Sequence, residues 1–219
     1  MSPRETIDVE VPIEGGNLPG FLHLPRHPAG LVLFAHGSGS SRFSRRNQAV
    51  AEVLYRGRMA TLLFDLLTPG EHEIDQRTAE LRFDIPLLIE RLVAAIDWAV
   101  ADQRTAGVPI GLFGASTGAA AALGAAVRRP RWVRVVVSRG GRPDLADEDL
   151  PRVEQPTLLI VGSLDPVVLE VNRDAARRMG TEPRLEIVSG ASHLFEEAGK
   201  LESVSMLARD WFLEHFELS

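Results

Sequence analysis

The 219-residue sequence contains no cysteine, which excludes disulfide bonds, thiolate catalysis and cysteine-based metal sites together. Its first six residues include no apolar run, so we expect no signal peptide. Every apolar stretch is far shorter than a membrane span. Lysine and arginine are dispersed through a chain of net charge −6, which argues against a nucleic-acid partner. We therefore expect a cytoplasmic chain without membrane or nucleic-acid partners.

No internal repeat or low-complexity stretch is visible, and 45% of the residues are hydrophobic, enough for one sheet-centred core. We therefore expect residues 1–219 to form a single α/β domain. The predicted strands cover residues 7–11, 18–24, 31–35, 60–64, 108–113, 133–137, 155–162 and 184–188. The predicted helices cover residues 44–56, 85–101, 119–128, 170–179 and 200–216, and residues 66–82 read as a polar loop. Two leading strands followed by alternating strands and helices predict a mostly parallel, eight-stranded sheet with helices on both faces.

The most informative motif is the pentapeptide at residues 114–118, Gly-Ala-Ser-Thr-Gly, which has the form G-x-S-x-G. An apolar, strand-like run precedes it and an alanine-rich, helix-forming run follows it. A serine at such a sharp turn projects its hydroxyl outward, and the small neighbours let the helix pack on the sheet. The context predicts that Ser116 is the nucleophile at a nucleophile elbow.

An acid and a base should follow the nucleophile in that order along the chain. Asp165 lies just after the predicted strand 155–162, and His193 lies just after the strand 184–188. Both would then stand at the same sheet edge as Ser116. Asp65, which follows the strand 60–64 at that edge, remains an alternative acid. His23, His27, His72 and His215 lie in positions typical of structural or solvated histidines.

The loop at residues 36–41 follows the third predicted strand and is rich in glycine and serine. In this position we expect it to donate a backbone amide to an oxyanion hole, from Ser38 with Gly39 as the alternate. Thr117, the residue after the nucleophile, would supply the second amide. We expect His36 to brace the loop through hydrogen bonds. A phosphate-binding interpretation of this loop lacks the G-K-[ST] motif and a nearby lysine.

Only about twenty residues separate the strands near residues 137 and 157, so we expect no large lid domain and a comparatively open site. Gly39, Arg139 and Arg142 are candidate substrate contacts, because an arginine fork suits a substrate carboxylate. The alternative is that both arginines are surface residues or pair with nearby acids such as Asp144. The cluster Arg42, Arg45 and Arg46 reads most simply as a solvated face.

Taken together, several segments make the chain resemble the dienelactone hydrolase-like branch of the α/β-hydrolases, in a bacterial subgroup sometimes fused to phosphoribosyltransferase domains. They are residues 34–42, 64–68, 114–118 and 138–144 and the Asp165 and His193 motifs. The resemblance implies a compact, lidless hydrolase that needs no cofactor. True dienelactone hydrolases carry a cysteine nucleophile controlled by a glutamate in the oxyanion loop. Here Ser116 and His36-Gly37 occupy those places, which favours generic serine-esterase chemistry.

The sequence thus predicts a serine hydrolase that cleaves small carboxylic esters or lactones through Ser116, His193 and Asp165, with neither metal nor organic cofactor. The triad does not fix the leaving group, so thioesterase, peptidase and perhydrolase activities are alternatives. A non-catalytic binding module of the same fold is a further alternative. The sequence leaves the oligomeric state open.

Overall fold

The computed structural model describes residues 5–217. The expectation of no signal peptide concerns the first six residues, of which residues 1–4 lie outside the described part of the chain. The strands are β1 Ile7–Ile13, β2 Gly16–His23, β3 Gly30–Ala35, β4 Met59–Phe64, β5 Ile110–Ala115, β6 Val133–Arg139, β7 Thr157–Gly162 and β8 Arg184–Val188. The helices are α1 Arg45–Arg56, α2 Pro69–Thr78, α3 Ile85–Ala101, α4 Thr117–Arg128, α5 Pro166–Arg178 and α6 Lys200–Glu217.

All eight strands form one sheet in the order β1-β2-β4-β3-β5-β6-β7-β8. β1 pairs with β2, and β2 with β4, in antiparallel fashion, whereas every pair from β4 to β8 is parallel. One apolar cluster packs α3 and α4 against one face of the sheet, and a second packs α1 and α6 against the other. The predicted eight-stranded, mostly parallel sheet with helices on both faces is confirmed.

Parallel pairing brings the carboxyl ends of the strands from β3 to β8 to one edge of the sheet. In open α/β sheets this edge is where ligands bind. The central strands β3, β4, β5 and β7 are buried along their whole length, so the loops that leave them start from fixed positions. The edge therefore collects every loop that the sequence singled out.

Two local predictions were wrong. Residues 66–82 contain the helix α2 rather than only a loop, since Thr68 and Glu71 form a reciprocal capping box and Pro69 occupies the first turn. The helix α5 begins at Pro166, four residues before the predicted start at Glu170, because the side chain of Asp165 caps it. Both helix starts were encoded by capping residues that hydrophobic periodicity does not register.

The connection from β6 to β7 contains only two short 3-10 helices, Pro143–Ala146 and Leu150–Arg152, which confirms that this segment forms no large lid. Among the described residues, no helix has the length and apolar character needed to span a membrane. Across residues 5–217, no group of three or more histidine, aspartate or glutamate side chains is placed to hold a metal ion.

Candidate active site

Ser116 occupies a strained turn between β5 and α4, with φ 52° and ψ −121°. Few residues other than glycine adopt a positive φ, and such strain is found preferentially at functional sites. The flanking glycines make the turn possible. A Cβ on Gly114 would lie 2.4 Å from the Cα of Ala119, and one on Gly118 would lie 2.1 Å from the carbonyl oxygen of Ala35. The structure therefore has the sharp strand-to-helix turn that the G-x-S-x-G motif predicted.

The end of β6 fixes the backbone of this turn from the other side. The amide of Ser116 donates to the carbonyl of Arg139 at 3.2 Å, and the amide of Arg142 donates to the carbonyl of Ser116 at 3.1 Å. Both backbone groups of the serine are thus satisfied by one neighbouring segment. Its side chain is left to face the sheet edge.

The side chains of Asp165 and His193 meet directly. The Nδ1 atom of His193 lies 2.6 Å from Oδ2 of Asp165, while Oδ1 accepts the amide of Val168 at 3.5 Å to cap α5. An acceptor at Nδ1 leaves Nε2 of the ring as the atom available to take a proton. The alternative acid, Asp65, instead accepts a 2.6 Å hydrogen bond from the amide of Arg42 and an ion pair from its guanidinium. The structure thus pairs His193 with Asp165 and not with Asp65.

The loops that carry Asp165 and His193 are joined to each other. The hydroxyl of Ser163 accepts the amide of Gly190 at 2.8 Å, and the amide of Leu164 donates to the carbonyl of Ala191 at 2.9 Å. A Cβ on Gly162 would lie 2.2 Å from the same carbonyl oxygen, so the close approach requires a glycine. These bonds hold the acid and the imidazole in register.

Glu197, which the sequence analysis did not single out, braces the histidine loop. Its carboxylate accepts the amide of Ser192 at 3.1 Å. Hydrogen bonds from the side chain and the backbone of Ser192 lower the pKa of this carboxyl below its ordinary value, so it is ionised at neutral pH. The signal in the sequence is weak, because a glutamate four residues after a histidine is common in loops.

His36 braces the loop at residues 36–41, as predicted. Its Nε2 accepts the amide of Leu66 at 3.1 Å, which requires a neutral ring whose Nδ1 donates to the carbonyl of Gly37 at 3.0 Å. Burial lowers the pKa of His36, in agreement with the neutral form. A Cβ on Gly37 would lie 3.1 Å from the Cβ of Ser116, so the loop passes directly beside the serine.

Two cavities meet at this loop. The large cavity has a volume of about 520 Å³ and is lined by Ser38, Thr117 and side chains from α2 and its flanking segments. The small cavity has a volume of about 240 Å³ and is lined by Ser116, His193, Arg139 and the start of α1. Ser38 lines both. The predicted nucleophile and base thus share the small cavity, and the two predicted oxyanion donors lie along the large one.

The three candidate substrate contacts are in different surroundings. Arg139 is 7% exposed and lines the small cavity, and its Nε and Nη1 have no hydrogen-bond partner within residues 5–217. Burial, with the charge of Arg46, lowers its pKa to about 10, so it remains a cation at neutral pH. Arg142 lines neither cavity and forms a two-pronged pair with Asp144, at 2.8 and 2.6 Å. Gly39 lines the large cavity at φ 69°.

The basic cluster near α1 is a solvated face only at Arg45, which is exposed; for Arg42 and Arg46, which are half-buried, that interpretation was wrong. Arg42 pairs with Asp65 and lies over the rings of Phe21 and Phe43, at 5.1 and 4.3 Å from their centroids. Arg46 lines the small cavity beside Ser116. These arginines directly follow the glycine-rich loop at the sheet edge, which is the sequence signal that could have placed them at the site.

No family model matches the chain. The structure is similar to that of a dienelactone hydrolase from Anabaena variabilis, with 53% sequence identity and a TM-score of 0.96 over 98% of this chain and 99% of that one. It is also similar to Est1E from Butyrivibrio proteoclasticus, with 16% identity and a TM-score of 0.80 over 96% of this chain and 99% of that one. The second likeness shows a shared fold alone.

Among curated proteins, the chain is 53% identical over 210 residues to a Mycobacterium tuberculosis protein provisionally named as a phosphoribosyl transferase. The match covers 95% of this chain but 46% of that relative, so the chain spans about half the length of the curated protein it matches. More than half of the length of the protein that carries this name lies outside the match.

The likeness to the Anabaena protein extends over nearly the full length of both chains at 53% identity. The eight-stranded sheet, the strained serine at the end of β5 and the carboxyl-edge loops lie within that shared structure. The chain therefore belongs to the dienelactone hydrolase-like family of α/β-hydrolases.

Proposed function

We propose that the chain is a serine esterase that hydrolyses small carboxylic esters or lactones, with Ser116 as the nucleophile, His193 as the base and Asp165 as the acid. The observation that carries the proposal is that His193, which lies 2.6 Å from Asp165, lines the same small cavity as Ser116. The dienelactone hydrolase that is 53% identical to the chain supports hydrolysis as the coarse activity.

The proposed reaction begins when Nε2 of His193 takes the proton of the Ser116 hydroxyl as its oxygen attacks the substrate carbonyl. Asp165, bonded at Nδ1, holds the ring in the required tautomer and stabilises the imidazolium. His193 then returns the proton to the leaving oxygen, and the bond from the carbonyl carbon to that oxygen breaks. Water attacks the acyl-enzyme with His193 again as base, which releases the acid and restores the serine. The steps need no metal or organic cofactor.

Backbone amides of Ser38 and Thr117 are proposed to receive the developing oxyanion. Thr117 is the first residue of α4, so its amide stands at the positive end of a buried helix. Ser38 lines both cavities, in the loop that touches Ser116. A donor in an oxyanion hole typically lowers the activation free energy by about 3–4 kcal/mol.

Labelling with a fluorophosphonate probe and turnover of p-nitrophenyl esters test the proposal together. We expect labelling at Ser116, and its loss in Ser116→Ala together with a fall in kcat on the order of 10⁴-fold or more, while the variant stays folded. Ser203→Ala, an exposed serine on α6, is the matched control and should be labelled and active. Near-wild-type turnover by folded Ser116→Ala would remove the assignment, and folded wild type without labelling or turnover would favour a binding module.

The same panel separates the alternative activities of this triad. Lactones and thioesters run beside the p-nitrophenyl esters, at equal acyl length, rank the leaving groups by kcat/KM. A preference for thioesters would replace the esterase by a thioesterase without moving any catalytic residue.

A further inference from the structure

The guanidinium of Arg139 is buried in the small cavity without a carboxylate partner. It is 7% exposed, it forms no ion pair within the described residues, and its Nε and Nη1 are unsatisfied. An unpaired buried charge is strongly unfavourable in a protein interior. The chain contains many arginines that do pair with acids, among them its neighbour Arg142. The guanidinium of Arg139 is therefore available to bind an anion from outside the chain.

The rest of the small cavity has the same sign of charge. Arg46 lines it, with Nη1 on Glu196 at 2.9 Å and a buried Nε that lacks a partner. The first turn of α1, a helix of 12 residues, also lines the cavity through Ser44 and Asn47. A helix N-terminus carries partial positive charge. No aspartate or glutamate is among the described residues that line this cavity.

The two cavities differ in the part of a substrate that each can hold. A leaving group must lie against the base that protonates it, and His193 lines the small cavity but not the large one. The large cavity has about twice the volume and a mixed lining, in which Leu66, Leu67 and Leu88 supply apolar surface. Its two arginines, unlike Arg139, are each paired with an aspartate that also lines it. The acyl group therefore belongs in the large cavity and the leaving group in the small one.

We propose that the small cavity is an anion-binding leaving-group site, in which Arg139 and Arg46 bind a compact oxyanion, a carboxylate or a phosphate, carried by the leaving alcohol. The preferred substrates are then esters with an apolar acyl chain and an anionic alcohol. Hydrolysis consumes one water, breaks the acyl carbon–oxygen bond and releases the anionic alcohol protonated by His193. This inference rests on the proposed esterase function.

Four matched esters test where the charge belongs. Hexanoate esters of 3-hydroxybenzamide, 3-hydroxybenzoate and 3-hydroxyphenyl phosphate carry a neutral, a carboxylate and a phosphate leaving group. The adipate half-ester of 3-hydroxybenzamide places a carboxylate on the acyl chain instead. We expect the esters with an anionic leaving group to exceed the neutral ester in kcat/KM by about tenfold or more, as one desolvated charge pair allows. The carboxylate and phosphate arms identify which oxyanion is preferred.

Arg139→Met should reduce the ratio of kcat/KM for anionic over neutral leaving groups by about tenfold or more, and Arg139→Lys should retain part of it. Intrinsic differences in reactivity cancel, because each enzyme is given the same esters. Arg142→Met is the matched control, since Arg142 pairs with Asp144 outside both cavities, and it should keep the wild-type ratio. An unchanged ratio in Arg139→Met, or a preference for the adipate half-ester, would overturn the proposal.

A direct binding measurement separates this inference from the esterase proposal. Free 3-hydroxybenzoate should bind the wild type more tightly than 3-hydroxybenzamide by calorimetry, and the difference should vanish in Arg139→Met. If no ester is hydrolysed, the esterase proposal fails and the leaving-group role fails with it, whatever the anion affinity. If esters are hydrolysed and the two ligands bind equally to the wild type, the anion site alone is wrong. If Arg139→Met does not fold, Arg139→Lys and the comparison of the two ligands on the wild type still decide whether the small cavity binds anions.

Discussion

The two sides of the candidate site are held in place by different forces. The side that carries Ser116 is a packed core element: every residue from Thr117 to Val127 is buried, and backbone approaches at Gly114 and Gly118 leave no room for a methyl group. The side formed by α2 buries only Asp75 among its ten residues, and Ile74 is 48% exposed. Apolar packing therefore fixes the first side and contributes little to the second.

Polar contacts hold α2 instead. Asp75 accepts the guanidinium of Arg82 at 2.7 Å and its amide at 3.0 Å, and Glu71 pairs with Arg91 at 2.6 Å while completing the capping box. Each pair has at least one partly exposed partner, so it breaks at lower cost than a packed core does. The comparison indicates that the proposed catalytic geometry is rigid, whereas the wall of the large cavity can adjust its shape.

The largest effect should separate two aspartates of the site. Asp165→Asn replaces the carboxylate that orients His193 by a neutral amide, so kcat should fall on the order of 10⁴-fold. Asp65→Asn alters a contact to Arg42 on the large-cavity side, and we expect less than about a tenfold loss, as for a partly exposed ion pair. Steady-state kinetics on one ester, with thermal unfolding of each variant, measures both. The reverse ranking would move the acid to Asp65 and break the assignment of roles to the two sides.

The same substitution on the two sides should have opposite effects on stability. In Gly118→Ala the new Cβ would lie 2.1 Å from the carbonyl oxygen of Ala35 and 2.6 Å from that of His36, so we expect a loss of about 3 kcal/mol or more. In Gly70→Ala, on α2, a Cβ meets nothing within 4 Å, and helix propensity should add up to about 0.5–1 kcal/mol. Denaturant unfolding measures both. Equal effects would show that the serine side tolerates displacement as well as α2 does.

A smaller, local effect should follow from breaking the contact between Asp75 and Arg82. Asp75→Asn leaves a neutral amide against a half-buried guanidinium, which costs about 1–3 kcal/mol in the docking of α2. Hydrogen exchange of α2 amides should accelerate about tenfold or more, since about 1.4 kcal/mol corresponds to a factor of ten. The amides of α4 serve as the internal control and should exchange at the wild-type rate.

Lowering the pH should accelerate hydrogen exchange of α2 in the wild type, as the Asp75→Asn substitution does. Burial raises the pKa of Asp75, but hydrogen bonds from the amide and guanidinium of Arg82 outweigh it and hold the pKa below its ordinary value of 3.8. The stabilising contribution is thus complete above pH 3.8 and is lost as the pH falls through the lower, folded-state pKa. Below that pKa, hydrogen exchange of α2, corrected for the pH dependence of intrinsic exchange rates, should be as fast as in Asp75→Asn. A wild-type helix that stays protected in acid would show that packing, not this pair, holds α2.

The elements with buried, periodic apolar patterns were predictable from the sequence. β3, β5 and β7 appeared as apolar runs, and the loops after them carried the predicted site residues Ser38, Ser116 and Asp165. Helix α2 was not predicted, because its charged residues carry no apolar period, although Thr68-Pro69 and Glu71 form a recognisable helix start. Apolar periodicity therefore revealed the core, and the capping residues would have revealed the wall of the large cavity.

By itself the sequence determined the sheet, the strained serine turn and the chain order of serine, aspartate and histidine, because each depends on local signals of apolar runs and glycines. Only the tertiary structure decided the pairing of His193 with Asp165 rather than Asp65, and the division of the site into two cavities. It also decided between two similar arginines. Arg139 ends a buried strand beside α4, whereas Arg142, three residues on, reaches Asp144. Burial and charge pairing depend on what the fold packs around a side chain, which the residue type alone does not specify.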